Sequence, residues 1–146
     1  MYMPAFNAFL QNFGIDMESF NSAEKVEIPK SLLKFMLQLL LTHGSFNEVG
    51  YLKLNPDVEV SVKQGALPNA RIHYIGYGFF EGRLGATPEV DEEWYRQVYA
   101  DVEQGIRQGL IGSAVEHFLL AGAAEGRSPN AHVLPDATQW KRAFGR

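Results

Sequence analysis

Two stretches of this chain share one frame: HYIGYGFFEGR at 73–83 and HFLLAGAAEGR at 117–127. Their offset, 117 − 73 = 44 residues, aligns 46–85 with 90–129 without a gap. Under it Glu48 meets Glu92, Tyr51 meets Tyr95, and Asp57-Val58-Glu59 meets Asp101-Val102-Glu103. Gln64-Gly65 meets Gln108-Gly109, Ala70 meets Ala114, His73 meets His117, and Gly78 meets Gly122. The frame closes with Glu81-Gly82-Arg83 on Glu125-Gly126-Arg127. A gapless match of this density is a duplication. Its period is that of supersecondary units that stack because none buries its apolar side alone.

Within each unit the pattern predicts three short helices, and the whole chain reads as all-α. The first helix runs from about Asn47 to Leu54 and from Asp91 to Val98, carrying Tyr51, Leu52 and Leu54 or Trp94, Tyr95 and Val98. Asn55-Pro56-Asp57 then restarts the chain: Asn is a favoured N-cap, Pro fits the first helical position, and Asp suits the positive end of the dipole. Tyr99-Ala100-Asp101 is its poorer counterpart. The second helix ends at Gly65 or Gly109, where a residue with positive φ is needed. Asn69 or Ser113 caps a third helix, and Gly82 or Gly126 closes it. Arg83 or Arg127 is then placed to reach the carbonyls left unpaired there.

Ahead of the units, SLLKFMLQLLL at 31–41 predicts a helix over 30–43, with Pro29 at its start and Gly44 at its end. Lys34, Gln38 and Thr42 recur every four residues as a narrow polar stripe, and leucines, Phe35 and Met36 cover the rest. The stretch falls well short of the roughly 20 apolar residues of a membrane span. A helix so widely apolar must be enclosed on most sides, by the rest of the chain or by a second copy in a homodimer. Residues 4–13 predict a weaker helix that Gly14 stops, and 16–29 read mostly as loop. The expected organisation is an N-terminal helical segment (1–45), repeat one (46–89), repeat two (90–130) and a C-terminal tail (131–146). The two three-helix repeats are expected to pack together.

Composition narrows the function classes. The 146 residues, 46% hydrophobic and 21% charged, suffice for one core or two small packed units. A net charge of −4 weighs against nucleic acid, whose binding rests on clustered Lys and Arg. The chain has no Cys, hence no disulfide, thiolate nucleophile or Cys-ligated metal. MYMPAFNAFLQNFG lacks the basic stretch, apolar core and cleavage site of a secretory signal, so a cytoplasmic location is expected.

The segment YLKLNPDVEVSVKQGALPNARIHYIGYGFFEGR, 51–83, resembles a short bacterial repeat of the form YLxxNPDVxxxVxxG…HYxxxGxxEGR. That repeat occurs in secreted RTX-type proteins and beside glycosyltransferase or sulfotransferase regions. The resemblance covers 46–129 and is strongest in the first unit; the second departs at YRQVYADV and FLLAGAAEGR. It implies an accessory or interaction module.

His73 and His117 are the natural candidates for chemistry. Each lies eight residues before Glu81 or Glu125, about 12 Å along a continuous helix, so no His–Glu pair follows from the spacing. The simpler reading is a histidine whose ring nitrogens are satisfied inside its own unit. An enzyme using these four residues is therefore the weakest reading, and no catalytic residue, cofactor or metal is assigned. His43 and His132 are isolated and expected at the surface.

Arg83 and Arg127 could clamp an anion or an acidic glycan, or simply form ion pairs at a cap. Tyr77, Phe79 and Phe80, where the second unit has Ala121, Ala123 and Ala124, cannot all face one core. They either pack on the apolar helix 30–43 or, together with Trp94 and Tyr99 as lesser candidates, are the expected contacts to a protein partner. The leading expectation is a small non-catalytic adaptor that binds a protein partner and can form a homodimer through helix 30–43. The alternative is a glycan- or anion-binding module linked to surface polysaccharide chemistry.

Overall fold

A computed structural model describes residues 3–85 and 88–145, and every regular element among them is helical. Helix α1, Phe6–Phe13, ends at Gly14 with φ +70°, as the sequence predicts. The region expected as loop holds a short helix α2, Met17–Ser22, because the Asp16 carboxylate accepts from the Ser19 amide at 2.7 Å. Phe6 and Phe20 meet edge to face, 5.1 Å apart, and hold α1 against α2. Helix α3 spans Lys30–His43.

The first unit comprises α4 (Glu48–Leu54), α5 (Pro56–Lys63) and α6 (Ala70–Gly76), followed by a 3₁₀ turn at Gly78–Glu81. The second comprises α7 (Glu92–Val98), α8 (Ala100–Arg107) and α9 (Ala114–His117), which runs into a π turn at Phe118–Gly122. Residues matched by the 44-residue offset take matching places. Tyr51, Val58 and Ala70 form one buried cluster, and Tyr95, Val102 and Ala114, joined by Phe118, form the other. The Asn47 amide bonds the Gly85 carbonyl at 3.2 Å, as the Asp91 amide bonds that of Pro129 at 3.1 Å, so each unit ties its two ends together.

The sequence predicts that the two units pack on each other. The helices in close contact are α4, α5 and α6 with one another, and α7, α8 and α9 with one another; among the described residues no well-packed helix pair joins the two sets. Aromatic rings fill each buried cluster. Tyr51 is fully buried with the rings of Phe46 and Tyr74 at 5.3 and 5.5 Å, and Tyr95 with those of Tyr99 and Phe118 at 4.5 and 6.0 Å. Each ring buries on the order of 150–250 Å². A unit filled in this way closes its own core without its twin.

The expected tail also contains a helix, α10, Leu134–Ala143, with Pro135 in its first turn and Asp136 beside it. Among the described residues no helix is long and apolar enough to cross a membrane.

Candidate interaction surface

The repeated histidines are anchored inside their units. The Tyr51 hydroxyl lies 2.9 Å from His73 Nδ1, and the Tyr95 hydroxyl lies 3.1 Å from His117 Nδ1. Gly78 and Gly122 belong to the same arrangement: a Cβ on either would overlap the tyrosine hydroxyl and sit 3.3 Å from the histidine Nδ1. His and Gly are five residues apart, and an α-helix turns 100° per residue, which leaves them 140° apart around its axis. Neither unit keeps α geometry across that interval. In the first, Tyr77 breaks the helix at φ −137° and ψ −57°; in the second, the Ala123 amide reaches back five residues to the Phe118 carbonyl at 3.0 Å. Two different backbones serve one requirement, glycine beneath a buried phenol. Burial pushes the Tyr51 hydroxyl above its usual range and that of Tyr95 up to about 12.

Arg83 and Arg127 do not reach the helix-end carbonyls. Arg83 donates to Asp57 at 2.9 Å, Asn55 at 3.0 Å and Glu81 at 2.7 Å. Arg127 grips Asp101 with two bonds of 2.8 and 2.6 Å and also pairs with Glu125. Hydrogen bonding from Arg83 lowers the Asp57 carboxyl below its usual value, and the Arg127 fork holds Asp101 at about 2. Nor do Asn55 and Tyr99 cap α5 and α8 through their side chains. Asn55 is buried and donates to the Tyr51 carbonyl at 2.7 Å. Tyr99 accepts from the Ser128 amide at 2.8 Å and stacks under Arg127, 4.9 Å from its ring centre.

The five aromatic candidates therefore divide. Trp94 packs against the second unit's core and meets Tyr99 edge-on at 6.2 Å. Tyr77 lies at the first unit's surface, 62% exposed. Phe79 meets Tyr74 edge-on at 6.1 Å and Phe80 at 5.3 Å, and Phe80 is 40% exposed.

Beside Phe80 lies α3, turned opposite to its simplest reading. Lys34 Nζ sits 4.9 Å above the Phe80 ring, Gln38 donates to the Ile75 carbonyl at 3.3 Å, and Arg71 donates to the carbonyls of Thr42 and Gly44 at 2.9 and 3.0 Å. Lys34, Gln38 and Thr42 pair in reverse order with residues 80, 75 and 71, so α3 runs antiparallel to α6. Lys34, Gln38 and the Thr42 carbonyl thus meet the first unit, and Leu32, Leu37, Leu39 and Leu41 are partly buried. Leu33, Phe35, Met36 and Leu40 are left 43, 55, 41 and 60% exposed, and no residue of α3 is buried. The rest of the chain does not enclose this helix.

The sequence reading missed three contributors. Glu48 accepts from the Ala70 amide at 2.9 Å, fastening α4 to the start of α6. Arg71 caps α3 across 27 and 29 residues of chain, and Gln38 satisfies the carbonyl freed where α6 breaks. The recurrence of Glu48 at Glu92 and the place of Gln38 in the polar stripe are their signals in the sequence. Among the described residues no cluster of three or more His, Asp or Glu is placed to hold a metal ion. No family model matches the chain, and it has no significant match among curated proteins or solved structures.

Proposed function

We propose that the protein is a non-catalytic interaction module that pairs with a second copy of itself through α3. The observation that carries this reading is the orientation of α3: Lys34 and Gln38 serve the first unit, Leu32, Leu37, Leu39 and Leu41 are partly buried, and Leu33, Met36 and Leu40 are left as an exposed row. A solvent-facing row of Leu33, Met36 and Leu40 costs free energy until it is covered. The row bears no charge, so the same patch can meet itself across a two-fold axis without like-charge repulsion. Homodimer interfaces are also more apolar than transient ones, which fits four large apolar residues on a single helix.

Internal engagement of the polar residues supports the non-catalytic part. His73 and His117 are held by tyrosine hydroxyls, while Glu81 and Glu125 are held by arginines. Arg83 and Arg127 are each shared between carboxylates, which weakens the alternative of an anion or glycan clamp. Light scattering coupled to gel filtration tests the proposal. The wild type should elute with the mass of two chains, and Leu33→Glu with Leu40→Glu should give a monomer of unchanged helical circular dichroism. A wild type that stays monomeric at high concentration, or a dimer indifferent to both substitutions, overturns it.

A further inference from the structure

At the far end of the second unit, α10 and the last turn of the repeat enclose a cleft of about 300 Å³. The frame positions that carry Phe79 and Phe80 in the first unit carry Ala123 and Ala124 here, and these alanines, with Ala137 of α10, form an apolar floor. Trp140 and Phe144 rise beside it with ring centres 5.7 Å apart at 30°, and they remain 55 and 65% exposed. They line the space without filling it. In the first unit the same frame positions carry Phe79 and Phe80, and Lys34 lies over the Phe80 ring.

Two cations border the cleft, and they differ. Arg127 is neutralised by Asp101 and Glu125. Lys141 reaches the rim with its Cε 3.8 Å from the position of a Cβ on Gly126, and it has no ion-pair partner among the described residues. We propose that this cleft binds a small flat-ringed acid of the aromatic carboxylate class. Its ring lies against Trp140, Phe144 and the alanine floor, and its carboxylate meets the Lys141 ammonium. The volume is at the small end of ligand sites and suits one or two fused rings. A sugar would need several free hydrogen-bonding partners, whereas Glu125 and Arg127 are spent on each other. A neutral ring would leave the ammonium unused.

The test follows the indole N–H signals of both tryptophans in ¹⁵N–¹H spectra of the full chain, assigned through Trp94→Phe, during titration with 2-naphthoate. Trp140 should shift saturably while Trp94 does not. The neutral analogue 2-naphthalenemethanol, and naphthoate with Lys141→Met, should each bind roughly fivefold or more weakly. Ala124→Phe, which rebuilds the filled end of the first unit at an exposed position, should abolish the shift. Lys141→Glu, which leaves the apolar walls intact, should transfer the preference to cationic 2-naphthylmethylamine. A non-saturating response, or affinity indifferent to Lys141 and to Ala124→Phe, overturns the proposal.

Discussion

Gly78 shows how much of the repeated frame is set by one atom. A methyl group there would overlap the Tyr51 hydroxyl, which is fully buried and hydrogen-bonded to His73, so the phenol has nowhere to move. Overpacking of this kind costs about 1–3 kcal/mol. We expect Gly78→Ala to lower the urea midpoint accordingly. Tyr51→Phe alone should cost about 1 kcal/mol for the lost hydrogen bond. In the double variant the nearest remaining atoms are His73 Nδ1 and the ring Cζ, each 3.3 Å away, so most of the glycine penalty should disappear. Denaturation of all four chains measures that coupling, and additive losses would show that the close approach is not what demands glycine. The His-to-Gly spacing was visible in the sequence twice. Its meaning was not, because five residues look like ordinary helix until the position of the tyrosine is known.

At the scale of elements, the closing arginine ties the end of each third helix to the first turn of the second helix of the same unit: Arg83 to Asp57 of α5, and Arg127 to Asp101 of α8. Because Arg127 depresses the folded-state value of Asp101 to about 2 from 3.8, its stabilisation is present above about pH 4 and is lost as the pH falls towards 2. Asp101→Asn should therefore cost up to about 1 kcal/mol at pH 7, a modest figure because the carboxylate is largely exposed. The gap between variant and wild type should close below pH 3. Thermal melts from pH 2 to 7 measure it, and a gap that persists at pH 2 would assign the loss to something other than this ion pair. Burial of Tyr95 works in the opposite direction. Its raised value of about 12 favours the neutral phenol, so stability is full below pH 10 and falls as the pH climbs to 12. Absorbance at 295 nm should show at least one phenol ionising late, together with unfolding. Caps and helix ends were legible from sequence because they depend on neighbours within four residues, as at Asn69, Ser113 and Gly14. The orientation of α3 was not, because its deciding bonds come from Ile75 and Arg71, far along the chain.

For the whole molecule, the 44-residue match predicts that a unit recurs, and it says nothing of whether two copies share a core. Each has its own buried cluster, and α3 packs against α6 of the first unit. This asymmetry gives the halves separable stabilities. Both tryptophans, Trp94 and Trp140, fall after residue 90, so their fluorescence reports the second unit, whereas far-ultraviolet circular dichroism reports every helix. In urea the two signals should not coincide, a departure from two-state behaviour expected where cores are independent. Association through α3 adds a second mark. A dimer stabilises the part of the fold that holds its interface in proportion to the logarithm of protein concentration. Raising the concentration a hundredfold should therefore move the dichroism curve to higher urea and leave the tryptophan midpoint where it was. Equal shifts of both signals would mean that the units unfold as one body, and no shift in either would remove α3 as a dimer contact.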